Sequence, residues 1–216
     1  MKKVDRNLPK ITIVDYGMGN LLSISKALEI AGSSVKITAH RQEIVSSDAI
    51  VLPGVGAFRD AISRLRPLSK TIVEEAETGK PILGVCLGLQ LMFTESTEGG
   101  LHQGLNLCKG RVIKLPDSVK VPHMGWNNLS ILKPKHPLLK GIPNQSRVYF
   151  VHSFYGDAEK QDIVIATSEY GRVFPAAVGT ENVMATQFHP EKSGETGLQI
   201  LKNFVTISKT GKTRKE

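Results

Sequence analysis

The sequence predicts an open α/β fold, a mostly parallel sheet flanked by helices, with an added, largely antiparallel section. Three observations predict it. Short Val/Ile/Leu runs alternate with helical patterns through the first half, the pattern changes near Leu107 to strand-length runs separated by short turns, and the chain ends on an amphipathic helical stripe. Apolar runs without polar alternation suit strands buried on both faces, as in a parallel sheet covered by helices.

In order, Ile11–Asp15 reads as a strand and Leu21–Ala31 as the helix that follows it. Val35–Thr38 and Ala49–Leu52 are further strands, Ile72–Glu77 is helical, and strand Ile82–Cys86 runs into a helix over Leu87–Phe93. These are βα units. The later strands are Leu107–Leu115, Leu129–Leu132, Val148–His152, Ile163–Ser168, Ala176–Val178 and Val183–Phe188. Between Ser193 and Ile207, Leu198, Leu201, Phe204 and Val205 share one helical stripe and Lys202 lies off it, so this helix closes the core.

A chain of 216 residues, 40% of them hydrophobic, can bury one sizeable core. The expected organisation is a single domain over 11–208 between basic extensions at 1–10 and 209–216. Of the net charge of +8, the termini hold six: Lys2, Lys3, Arg6 and Lys10 against Asp5, and Lys209, Lys212, Arg214 and Lys215 against Glu216. Two solvated tails on a nearly balanced body do not make a phosphate-tracking surface, so no nucleic-acid partner is expected. The longest apolar stretch, Pro81 to Phe93, is shorter than the ~20 residues of a membrane span. Residues 1–10 lack the apolar segment of a secretory signal, and a cytosolic protein with no membrane contact is expected. The two cysteines, Cys86 and Cys108, stand in dissimilar contexts and are expected to be free thiols.

Chemistry enters at Gly84-Val85-Cys86-Leu87-Gly88, where a buried strand meets a helix. Glycines two residues before and after a nucleophile permit the strained strand-to-helix turn that projects it and turns the following backbone N–H into an oxyanion donor. The helix N-terminus also favours thiolate over thiol. A cysteine alone in an apolar run is an inert core thiol; the elbow reverses that reading for Cys86, and Cys108, without one, keeps it. A cysteine nucleophile needs a base and a group that orients the base. His189-Pro190-Glu191 supplies both: Pro190 biases His189 to an extended conformation at the end of the Val183–Phe188 strand, so that His189 and Glu191 can share a side. His189 then faces the Cys86 sulfur while Glu191 accepts from the other imidazole nitrogen. By itself, His-Pro-Glu is more often a turn. The Pro53-Gly54-Val55-Gly56 loop lies between a strand and a helix and offers backbone N–H groups. It lacks phosphate-loop spacing, and beside a thiol an oxyanion hole is its better use.

Taken together, these segments resemble the class I glutamine amidotransferase family, and within it the glutaminase subunits of imidazole glycerol phosphate synthase. The resemblance covers nearly the whole chain and is carried by residues 15–20 (DYGMGN), 53–56 (PGVG), 84–90 (GVCLGLQ), 121–127 (VPHMGWN), 150–153 (FVHS) and 189–193 (HPEKS). It implies a flavodoxin-like sheet and a Cys86, His189, Glu191 triad that hydrolyses glutamine to glutamate and ammonia. It also implies that Val55 and Leu87 supply the oxyanion donors, and that Gly54, Gly56, Gln90 and Glu98 line the glutamine pocket, with Ser153 at its edge. No metal or organic cofactor is implied. The implied partner is a cyclase subunit, in a heterodimer, that uses the ammonia to make imidazole glycerol phosphate and an aminoimidazole carboxamide ribotide for histidine biosynthesis. Asn20, Met124, Trp126 and Lys192 would form the docking face, although each alone would pass for a helix cap, a core side chain or a solvated charge. Where family members commonly carry Tyr after the serine, this chain has Phe154. Two other classes stay open: a stand-alone cysteine hydrolase of the same fold, which the docking-type segments argue against, and a catalytically silent binding module, which the complete triad argues against.

Overall fold

The computed structural model describes residues 8–213, so most of the basic N-terminal extension and the last residues of the C-terminal one lie outside it. The chain opens with β1 (Lys10–Val14), α1 (Leu21–Ile30), β2 (Ser34–Thr38), α2 (Arg41–Ser46), β3 (Ala49–Leu52), α3 (Phe58–Glu77), β4 (Ile82–Val85) and α4 (Leu87–Leu91). Then come β5 (Phe93–Ser96), β6 (His102–Gln103), β7 (Cys108–Lys114), β8 (His123–Asn128), β9 (Ser130–Ile131), β10 (Arg147–His152) and β11 (Phe154–Ala158). The chain closes with β12 (Val164–Glu169), β13 (Val173–Gly179), β14 (Val183–Thr186) and α5 (Gly194–Thr213).

An eight-stranded sheet in the order β2-β1-β3-β4-β14-β13-β12-β9 forms the centre. Its first five strands are parallel, and β13, β12 and β9 continue it antiparallel. Every residue of β3, β4 and β14 is buried, as expected of strands covered on both faces. One face packs Ile11 and Ile13 against α1 and α5 through Ile24, Leu28, Leu201 and Phe204. The other packs Ile50 and Leu52 against α3 and α4 through Phe58, Leu65, Ile72 and Leu89. Leu198, at the near end of the predicted α5 stripe, is only half-buried, and Ile200 takes the buried place instead.

Several elements depart from the sequence expectation. Helix α3 begins fourteen residues before Ile72, and Pro67 sits inside it without ending it. Its buried residues Phe58, Ala61, Leu65, Ile72 and Ala76 keep one helical face. Helix α4 stops at Leu91 rather than Phe93, since Phe93 enters β5 and pairs with Cys108. Helix α2 and strands β5, β6, β8 and β11 were not expected. Strand β13 runs well beyond Ala176–Val178, across Pro175. A proline is tolerated there because the ladder to β14 begins only at Ala177, leaving β13 with β12 as its sole neighbour at Pro175. The added section is therefore split. Part extends the main sheet, and part forms the antiparallel pair β10–β8 and a separate sheet β11-β7-β5-β6, in which β5 and β7 run parallel. Among the described residues no helix is long and apolar enough to cross a membrane.

Candidate active site

The carboxyl ends of β1, β3, β4 and β14 lie on one edge of the parallel sheet, where α/β folds place their binding sites. Strand β4 delivers Cys86 there with φ 55°, ψ −106°, a left-handed conformation costly for a side chain bearing Cβ. The elbow's close packing accounts for Gly88: a Cβ on it would sit 1.8 Å from the Leu52 carbonyl oxygen, so β3 backs directly onto the turn. The Gln90 N–H returns to the Cys86 carbonyl at 3.2 Å and fixes the short helix behind it.

His189 arrives from β14, but not as the tip of a strand reaching Phe188. The ladder ends at Thr186, His189 stays extended at φ −94°, and Pro190–Lys192 forms a single 3-10 turn. That turn folds Glu191 back beneath the ring, with Nδ1 and Oε1 2.9 Å apart and both side chains buried. Burial alone would hold the imidazole down, yet hydrogen bonds and charge from Cys86 and Glu191 outweigh it and raise its pKa to about 10. The site therefore favours the protonated imidazole. Cys86 is free, and its thiol donates to the Val151 carbonyl at 3.5 Å. Cys108 is also free, but burial pushes it up to about 12, which leaves it an inert core thiol.

A cavity of about 230 Å3 opens over the sulfur, lined among others by Val55, Gly56, Cys86, Leu87, Gln90 and Glu98 on one side. His152, Ser153, Phe154, His189 and Lys192 line the other. Gly54 lies outside this lining, packed so close to the Tyr16 hydroxyl and Leu87 that a Cβ would meet both. The Tyr16 hydroxyl donates to the Pro53 carbonyl, and burial, then the charge on Cys86, raise its pKa so that it remains a donor. At the loop's other end the Glu98 carboxylate accepts from the Phe58 N–H at 2.9 Å. The Pro53–Gly56 loop is thus pinned at both ends, and Gly56 between them takes φ +109°.

Of the four expected docking residues, Lys192 lines the cavity and the others lie outside it. Asn20 caps α1, its side chain accepting from Ser23 N–H at 3.4 Å. Met124 and Trp126 are 65% and 49% exposed on the outer face of β8, while His123 and Asn127 alternate inward. Sequence reasoning gave no role to Tyr16, Val151, His152 or Gln187. Tyr16, Val151 and His152 lie within the segments 15–20 and 150–153, and Gln187 lies two residues before His189, but nothing in one sequence says which way a side chain faces.

Comparison with known proteins agrees with this geometry. The profile of the family "Glutamine amidotransferase class-I" matches residues 12–207. The imidazole glycerol phosphate synthase subunit HisH of Methanosarcina mazei is 55% identical over 93% of this chain and 100% of its own length. The subunit of the same name from Caldanaerobacter subterraneus is 53% identical over 90% and 96%. Among solved structures, PurLQS from Thermotoga maritima superposes with a TM-score of 0.75 at 20% identity, covering 92% of this chain and 98% of that one. With the elbow, the buried His-Glu pair and the cavity all on the carboxyl edge of the sheet, the chain belongs to the class-I glutamine amidotransferases and, within them, groups with the HisH subunits of imidazole glycerol phosphate synthase.

Proposed function

We propose that this glutamine-hydrolysing subunit of histidine biosynthesis works through Cys86 as nucleophile, His189 as acid and base, and Glu191 as the group that orients His189. The observation that carries this reading is the buried His189–Glu191 pair beside the free Cys86 thiol, all at one cavity. The thiolate attacks the side-chain carbonyl of glutamine, and the N–H groups of Leu87 and Val55 hold the oxyanion. His189 gives its proton to the departing ammonia, then takes one from the water that cleaves the glutamyl thioester, releasing glutamate. Gly56, Gln90, Glu98 and Ser153 shape the glutamine pocket, with Gly54 supporting the loop from behind.

Ammonia freed into water near neutral pH is mostly protonated and no longer a nucleophile. Direct delivery to an acceptor site is therefore required, and the curated relatives are themselves named as subunits of a synthase. A cyclase subunit docking on Asn20, Met124, Trp126 and Lys192 would form a heterodimer in the cytosol. Met124 pairs with Val151, whose carbonyl faces the Cys86 sulfur, so the exposed strand lies one residue pair from the chemistry.

In the assembled complex, Cys86→Ala should abolish glutamine-dependent synthesis yet preserve synthesis from ammonium salts, since the acceptor chemistry belongs to the partner. Loss of both activities would contradict that division, and Cys108→Ala should change neither.

A further inference from the structure

Gln187 lies between the last strand of the parallel sheet and His189, and its side chain is fully buried. A buried amide must have its donors and acceptor satisfied, and its neighbours decide which end faces which way. Gln90 Nε2 is 2.8 Å from the Phe154 carbonyl, which only accepts, so that atom is the amide nitrogen. Its other hydrogen points to Gln187 Oε1 at 3.4 Å. The NH2 of Gln187 is thereby turned toward Cys86 Sγ, 3.8 Å away. Reversing the Gln187 amide would set two donors head to head.

Around the sulfur, the groups pull in opposite directions. The Val151 carbonyl accepts from the thiol and so favours the protonated form. His189 and the Gln187 N–H favour the anion. We propose that Gln187 is a positioning residue for the nucleophile: its amide, locked by Gln90 and the Phe154 carbonyl, donates to the Cys86 sulfur, stabilises the thiolate and draws the side chain away from Val151. This rests on Cys86 being the nucleophile. The amide never meets the substrate carbonyl in this role; it acts through the sulfur.

The test uses the full chain carrying Cys108→Ala, so that one thiol reports, and follows alkylation by iodoacetamide as a function of pH. Gln187→Met keeps the side-chain length and removes the N–H. A lost hydrogen bond to an ionised sulfur should raise the pH midpoint of alkylation by about one unit and slow alkylation at neutral pH about tenfold. In the assembled complex, kcat for glutamine should fall about tenfold while KM changes less than about twofold, as for an interaction that does not bind substrate. A merely structural role would lower thermal stability and leave the midpoint in place. If Gln187→Met does not fold, Gln90→Met frees the lock from its other end and should move the midpoint the same way, by less. An unmoved midpoint in a folded variant overturns the role of Gln187. Glutamine turnover surviving in Cys86→Ala would instead overturn the nucleophile, so the two failures are distinguishable.

Discussion

Gly88 carries a constraint that its neighbours cannot absorb. Its would-be Cβ meets backbone oxygen of β3 rather than the end of a flexible side chain. Gly88→Ala should therefore push the elbow and β3 apart and destabilise the fold by about 1–3 kcal/mol, as overpacking does. Urea melts would measure it, and activity should fall further than stability because Cys86 moves with the turn. A midpoint equal to the parent's would mean that the elbow has slack. The residue scale was also where the sequence was most legible. Cys86 and His189 could be named because glycine spacing and proline leave local traces. Gln187 and His152 could not, because their importance lies in partners that are distant along the chain, 101 residues in the case of Gln187 and Cys86.

Among the elements, β8 does two things by simple alternation. Outward, it presents Met124 and Trp126, the latter edge-on to Tyr149 at 5.8 Å between ring centroids. If the partner covers this face, Trp126→Ala should weaken the complex by about 2 kcal/mol, near thirtyfold in Kd, with the free chain's melting temperature unchanged. Titration calorimetry against the cyclase subunit reads that directly. Inward, β8 presents His123, stacked between Phe150 and Tyr170 and 3.0 Å from His152. Burial lowers His123 to about 4 and His152 to about 3, so both are neutral at pH 7. An unfolded histidine takes a proton near 6.5, and the folded pair does not. The unfolded chain thus binds more protons as pH falls, and stability should drop between about pH 6.5 and 4. His136, also lowered by burial, adds to the same limb, and His123→Asn should make its slope shallower in thermal melts. Strand β8 was missed from sequence because its glycine, asparagines and histidine do not look like a strand, whereas β3, β4 and β14 announced themselves by being apolar throughout.

At the scale of the whole molecule, the doubly wound core was legible because burial on both faces writes itself into composition. The attachment of the later strands was not, since period and turn residues do not say which sheet edge a strand joins. The same scale holds the question of control. The Pro53–Gly56 loop is held at Pro53 by Tyr16 and at Phe58 by Glu98, so a peptide flip would be confined to the residues between. Glycine on both sides of Val55 makes such a flip cheap, and misdirecting one oxyanion donor costs about 10²–10³ in rate. The isolated chain should then be a poor glutaminase that partner and acceptor ligand together accelerate, provided they favour one loop state. Glutamate release would be compared for the chain alone, the complex, and the complex with acceptor ligand. Equal rates in all three would make the loop an ordinary βα connection.

The pairing of β14 with β4 has a consequence for how the protein is made. Strand β4 and its thiol leave the ribosome early, but β14, which pairs Val183 with Ile82 and brings in His189, follows nearly at the end. Parallel pairing over such a separation is slow to form because loop closure must precede any gain from contact. During synthesis the elbow therefore precedes the strand that carries His189, and if these two are the nucleophile and its base, catalytic competence must await the pairing of β14 with β4. A chain truncated before that strand would carry the elbow without the base proposed for it.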